Sequence, residues 1–175
     1  MSDLLTLIVL LCRGQGENQM LKRFIFIAIL VLAGISASAP TYSADDQTAI
    51  EEQNKKIVIE FYNAALNEKN WEKAKKFIGD RYVQHNLHAA DGPEGLKAHI
   101  EFLKRDFPKN HGEIKHVLAD GDLVALHIHC QRSPEMLGYA VVDIFRVENG
   151  KVVEHWDVVQ EIPDPKKAMN QNTMF

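Results

Sequence analysis

From residue 57 onward the apolar positions follow two rhythms, helical first and alternating afterwards. Ile57, Val58, Phe61, Tyr62, Ala65 and Leu66 recur at helical spacing and predict an amphipathic helix. Asn67 to Asn70 interrupts it, and the polar segment Ala44 to Asn54 before it is expected to begin as a loose leader. Trp71, Ala74, Phe77 and Ile78 make a shorter stripe that stops at Gly79, and Tyr82 to His85 reads as a short extended piece. Asp91-Gly92-Pro93-Glu94 opens a third helix, because proline suits the first turn, where no partner needs its missing N–H. The apolar face of that helix is Leu96, Ile100, Leu103 and Phe107, ended by Pro108.

Beyond Pro108 the period falls to two. Ile114 to Ala119, Leu123 to Gln131, Tyr139 to Val147 and Lys151 to Glu161 read as strands. Turns fall at Asp120-Gly121-Asp122 and Glu148-Asn149-Gly150. Helices first and strands after, with tight hairpins, predict an α+β domain with an antiparallel sheet.

The last hairpin allows two registers. A two-residue Asn149-Gly150 turn sets Asp143 opposite Trp156, and a three-residue Glu148-Asn149-Gly150 loop sets Asp143 opposite His155. A slip of one residue exchanges the whole face. The second register is preferred here. It gathers Val141, Phe145, Val153 and Val159 on one face with Asp143, His155 and Asp157, and leaves Glu154 and Trp156 on the other. Apolar walls around a few convergent polar groups are what a ligand site needs. On the preceding strand His127 and His129 project to one face, and Leu126, Ile128 and Cys130 to the other.

Ahead of the domain lies a targeting signal. Met20-Leu21-Lys22-Arg23 precedes an apolar run from Phe24 to Ile35 and then Ser36-Ala37-Ser38-Ala39-Pro40. A basic start, a short apolar stretch and small residues predict a secretory signal peptide over about residues 20–44, cut between Ala37 and Asp45. The run is short for a span, which needs ~20 apolar residues, so no stable membrane insertion is expected after its removal. Residues 1–44 are thus expected to be extension and signal, and 45–175 the domain, exported to the periplasm or beyond. Of two cysteines, Cys12 and Cys130, only the second would remain, which excludes an internal disulfide. The formal net charge of -4 is spread over interspersed signs without a basic stripe, which argues against nucleic acid as a partner.

The run Tyr139-Ala-Val-Val-Asp-Ile-Phe-Arg-Val-Glu-Asn-Gly-Lys-Val-Val-Glu-His-Trp-Asp-Val-Val-Gln160 resembles the closing hairpin of SnoaL-like proteins, a branch of the NTF2-like superfamily. Tyr82-Val-Gln-His-Asn86 and Asn172-Thr-Met-Phe175 are similar to other signatures of that group. The resemblance implies a cone, in which a curved antiparallel sheet wraps around N-terminal helices and encloses one deep pocket. It implies relatives that close polyketide rings by aldol condensation, isomerise ketosteroids, open epoxides or only bind. A homodimer formed through the open sheet face is also expected. Tyr62 falls where the isomerases carry an oxyanion-hole tyrosine, His85 where they carry an aspartate base, and Asp143 where they carry a neutral, donating aspartate. Asp157 falls near the catalytic aspartate of the cyclases and limonene-epoxide hydrolases. The histidine at 85 departs from the isomerase pattern.

These residues suit proton transfer beside a carbonyl. Histidine has an unperturbed pKa of ~6.5, so His85 or His155 can serve as base with little tuning. Asp143 between apolar neighbours can stay protonated as a donor, and Tyr62 can donate to the same oxygen. Asp157 can act as the acid–base group of an aldol closure. Phe61, Phe145, Trp156, His127 and His129 are candidate ligand contacts around a small hydrophobic or carbonyl compound. His127-x-His129 could hold a metal with His85, His155 or Asp143, but the spacing alone is weak, so neither metal nor cofactor is expected. Each candidate also has an ordinary reading: Tyr62 as core, His85 as an exposed loop residue, Asp143 in a structural ion pair, Trp156 as packing. A non-catalytic binding or dimerisation module is the alternative function.

Overall fold

The computed structural model describes residues 43–175. The expected signal sequence falls outside these residues, save for its last positions. Among the described residues no helix is long and apolar enough to cross a membrane.

The chain runs α1 (Ala44–Tyr62), a π-helical turn (Asn63–Asn67), α2 (Trp71–Ala74), β1 (Ile78–Gln84), α3 (Gly92–Asp106), β2 (His111–Asp120), β3 (Leu123–Gln131), β4 (Tyr139–Glu148) and β5 (Lys151–Glu161). A 3₁₀ turn (Pro165–Lys167) follows. The expected loose leader is in fact the first half of α1. Ser43 and Asp46 form a reciprocal capping box that satisfies backbone donors at the helix start. Glu51 then accepts from Gly121 N–H, and the buried Asn54 donates to Gly121 carbonyl at 3.0 Å, so the polar stretch clamps the β2–β3 turn. Ile78 and Gly79 begin β1 and do not end a helix.

The sheet departs from the expected antiparallel cone. Its order is β1-β5-β4-β3-β2, and β1 pairs with β5 in parallel, so the sheet is mixed. It is open, with β1 and β2 as separate edges, and is not curled or closed around the helices. Alternation reveals the hairpins β2–β5 because their partners are adjacent in sequence. It carries no information on β1, whose partner lies beyond α3 and three further strands. The helices cover one face, where Val58, Phe61, Ile100, Val124, Leu126, Ile128, Phe145 and Val152 are fully or almost fully buried.

The β4–β5 hairpin turns on Asn149 and Gly150, both at positive φ (50° and 74°). That is the two-residue turn, pairing Glu148 with Lys151, and not the expected three-residue loop. The ladder then shifts: Val147 pairs with Val152 but Arg146 with Glu154, leaving Val153 as an extra residue on β5. The bulge restores the parity that the shorter turn had reversed. Val141, Asp143, Phe145, His155, Asp157 and Val159 therefore share the helix-covered face, with Asp143 opposite Asp157 and Phe145 opposite His155.

Candidate functional site

Asp143 and His155 are the buried ionisable pair of the covered face, 5% and 8% exposed. His155 Nε2 lies 3.1 Å from Asp143 Oδ1, and His155 Nδ1 lies 2.9 Å from Gln84 Oε1. The orientation of the Gln84 amide is set by Asn86, whose backbone N–H donates to the same Oε1 at 2.8 Å. Gln84 Oε1 is thus an acceptor, and His155 Nδ1 must carry a proton. The remaining proton of the pair lies between Nε2 and Asp143. Burial pushes the Asp143 carboxyl above the usual carboxylate range, against the pull of His155, while the nearby Asp157 adds to the rise.

Asp157 is the cross-strand partner of Asp143. Its Oδ2 accepts from Asn86 Nδ2 at 2.5 Å. Gln84 and Asn86 thus hold one acidic-site residue each, and β1 reaches them by running alongside β5. Among the described residues, Asp143, His155 and Asp157 each offer a ligand atom within 4.8 Å of the others, and they are the residues that could hold a metal ion. The donor set would fit a divalent cation, with Gln84 orienting the imidazole from behind.

The expected single deep pocket is replaced by two adjoining lobes. One, of ≈ 80 Å³, is lined by Phe61, Tyr82, Gln84, Asn86, Phe145 and His155 among others. The second, of ≈ 200 Å³, is lined by Tyr62, Cys130, Arg132, Tyr139 and Val159 among others. Both share Leu66, His99, Asp143 and Asp157. A larger hollow of ≈ 500 Å³ lies under the C-terminal tail, by His129 and Phe175, and no carboxylate side chain lines it.

Tyr62, at the end of α1, is 3% exposed. Burial and the Asp143 charge hold its phenol well above the ordinary value, so it stays protonated. Its ring passes so close to Gly112 that a Cβ there would lie 2.0 Å from the hydroxyl oxygen. Asn67 fixes that glycine on both sides, accepting from its N–H and donating to its carbonyl.

The other expected contacts lie on the opposite, outer face. His85 stacks on Trp156 with ring centroids 4.7 Å apart, and its Nε2 meets Glu154 Oε1 at 2.8 Å. It follows Gln84 by one residue, and in an extended strand one residue changes the face. Trp156 itself pairs with Ile144, away from Asp143. His127 sits opposite Val142 and His129 opposite Ala140, and Phe175 packs on both rings at 5.1 and 4.9 Å. The His127 partner is His116, with Nδ1 atoms 3.2 Å apart. His99 lines both lobes, and burial holds its pKa below the usual histidine range. Its signal was the helix stripe: it stands three residues after Leu96 and next to Ile100. Gln84 and Asn86 were readable too, since they alternate with Val83 and His85 in phase with the buried Tyr82.

Comparison with solved structures supports the architecture. A candidate polyketide cyclase from Bacillus cereus is 22% identical, covering 69% of this chain and 80% of that one, with a TM-score of 0.55. AclR from Streptomyces galilaeus, a candidate hydroxylase, is 25% identical over 65% and 82% of the two chains, with a TM-score of 0.53. TsrD from Streptomyces laurentii is 18% identical over 62% and 88%, with a TM-score of 0.52. Among curated proteins, none matches the chain. The sequence profile of the SnoaL-like polyketide cyclases matches residues 56–164, more than half of the chain, and spans every strand and every ionisable residue of the cleft. The chain therefore belongs to the SnoaL-like polyketide cyclase family, within the NTF2-like superfamily.

Proposed function

We propose that the protein is a cofactor-independent acid–base catalyst acting on a small carbonyl compound, in an aldol-type cyclisation or an isomerisation. The observation that carries this reading is the facing pair Asp143 and Asp157, shared by both lobes and held in different surroundings. Asp143 is sealed against His155, whereas Asp157 is half-buried and fixed by Asn86. Two titratable groups in contrasting environments are the usual basis of acid and base roles.

In this reading Asp157 takes the proton from the carbon beside the carbonyl. The enolate oxygen receives a hydrogen bond from the Tyr62 hydroxyl, which burial keeps protonated. In a cyclisation the enolate carbon attacks a second carbonyl of the same molecule, one C–C bond forms, and Asp157 returns its proton to the new alkoxide. In an isomerisation the proton returns to a different carbon. The Asp143–His155 pair supplies a buried proton beside the reacting oxygen, with Gln84 holding the tautomer. His99 faces the same space as a neutral imidazole at neutral pH. The protein is further read as exported, with a mature domain starting near residue 45.

The test is an NMR titration of the four histidines and aspartates at 85, 143, 155 and 157, with and without a phenol as enolate mimic. Asp143 is expected to titrate above the ~3.9 of free aspartate, and the phenol to perturb Asp157, His99 and Tyr62 but not His85. An ordinary Asp143 together with no response to phenol would discard the catalytic reading. A second reading, a dimerisation module, is favoured by the outer face, where Leu118 and Val158 are each 68% exposed beside Val142. A monomeric sedimentation profile at high concentration would remove it.

A further inference from the structure

Arg132 stands immediately after β3, at the mouth of the ≈ 200 Å³ lobe that also reaches Tyr62, Asp143 and Asp157. Its guanidinium carbon lies 4.5 Å from the centre of the Phe107 ring and 5.7 Å from that of Tyr139. Phe107 ends α3 and Tyr139 begins β4, so two separate elements bracket the cation. Flanking rings hold a guanidinium plane while leaving its N–H edge free to donate.

The other arginines of the described residues spend that edge on carboxylates. Arg81 pairs with Glu148, Arg105 with Asp106, and Arg146 with both Asp122 and Glu154. No carboxylate among the described residues pairs with Arg132, and no other arginine or lysine lines either lobe. Its charge still reaches into the site, where it acts on His99 and Cys130. The same lobe is also lined by Leu66, Leu103, Val141 and Val159. One cleft therefore joins an exposed cation, apolar walls and a buried acid–base group.

We infer that Arg132 selects the substrate class: a small oxo acid, whose carboxylate docks on the Arg132 edge while its carbonyl end reaches Asp157 and Tyr62. The planar fork of a guanidinium matches a carboxylate with two parallel hydrogen bonds. Without such a cation, two aspartates in one cleft would repel an anionic ligand. The inference rests on the acid–base reading for the carbonyl end but on Arg132 alone for the acid end.

Binding of 4-acetylbenzoate and of its neutral partner 4-acetylbenzamide, followed by NMR chemical shifts at pH 7.5, separates the two. Wild-type protein is expected to bind the carboxylate about tenfold more tightly than the amide, a preference that weakens with salt. Arg132→Gln should erase the preference by weakening the carboxylate far more than the amide, and Arg132→Lys should keep part of it. Equal Kd values in the wild type, a preference that survives Arg132→Gln, or no binding of either probe at millimolar concentration would each overturn the inference. The same samples in D2O report exchange of the acetyl methyl protons. If Asp157→Asn does not slow exchange while the carboxylate preference stands, the acid–base reading fails and the oxo-acid selectivity remains.

Discussion

Asp143 and Asp157 are direct cross-strand partners, an arrangement that sets two carboxyls on one face of an antiparallel ladder. Like charges placed directly opposite are destabilising, and burial adds to the cost for Asp143. The pair is a strain on the fold that the site tolerates.

That strain has a sign that can be measured. The folded-state pKa of Asp143 is raised, so between the unfolded carboxyl value and the raised one the folded protein binds more protons than the unfolded chain. The stability this group contributes is complete below the unfolded pKa and lost as pH rises through the folded one. Asp143→Asn is expected to flatten the fall in urea-unfolding stability over that interval and to gain on the wild type at pH 8 relative to pH 4. A steeper fall in the variant would contradict the assignment.

His99 works in the other direction. Its pKa is lowered, so the unfolded chain binds the proton first as pH drops below ~6.5, and stability falls from there toward the lowered folded value. His99→Gln should lose less stability between pH 7 and pH 5 than the wild type. Thermal unfolding at the two pH values measures this directly.

Gly112 is required by Tyr62. A Cβ at Gly112 would meet the tyrosine oxygen at 2.0 Å and its ring at 2.9 Å, while Asn67 prevents the strand from moving away. Gly112→Ala is expected to destabilise by about 1–3 kcal/mol in urea unfolding, as overpacked sites do. Tyr62→Phe with Gly112→Ala should recover part of that loss.

The turn between β2 and β3 depends on α1. Asn54 is 7% exposed and donates to Gly121 carbonyl, so Asn54→Ala removes a buried side-chain amide and leaves a part-buried acceptor short of its partner. A loss of about 1–3 kcal/mol is expected, with faster amide exchange at Gly121 and Asp122 as the local readout.

Much of this was readable from the chain, and the failures have physical causes. Alternation located the strands from Ile114 onward because each is paired with its sequence neighbour. It placed Asp143, His155 and Asp157 on one face correctly, yet through the wrong turn. Val152 and Val153 are both buried, and two apolar neighbours in a strand are compatible with either a regular register or a bulge. The curved cone came with the family resemblance and not from any periodicity, and the parallel β1–β5 pair shows why periodicity could not correct it. His85 was favoured by its chemistry, although the phase set by Tyr82 already pointed to Gln84 and Asn86. Arg132 gave no pattern at all, because its bracket is built from a helix end and a strand start far apart in sequence.

The extra residue at Val153 has a meaning for descent as well as for folding. Every side chain from Glu154 to Glu161 owes its side of the sheet to a count made from that bulge. Were the ladder instead to run on regularly from the Asn149-Gly150 turn at the present length, Arg146 would face Val153, His155 and Asp157 would turn to the outer face, and Glu154 and Trp156 would turn inward. A lineage that loses the residue at Val153 keeps Glu154 opposite Arg146 and the site intact, whereas one that keeps the residue must keep the bulge with it.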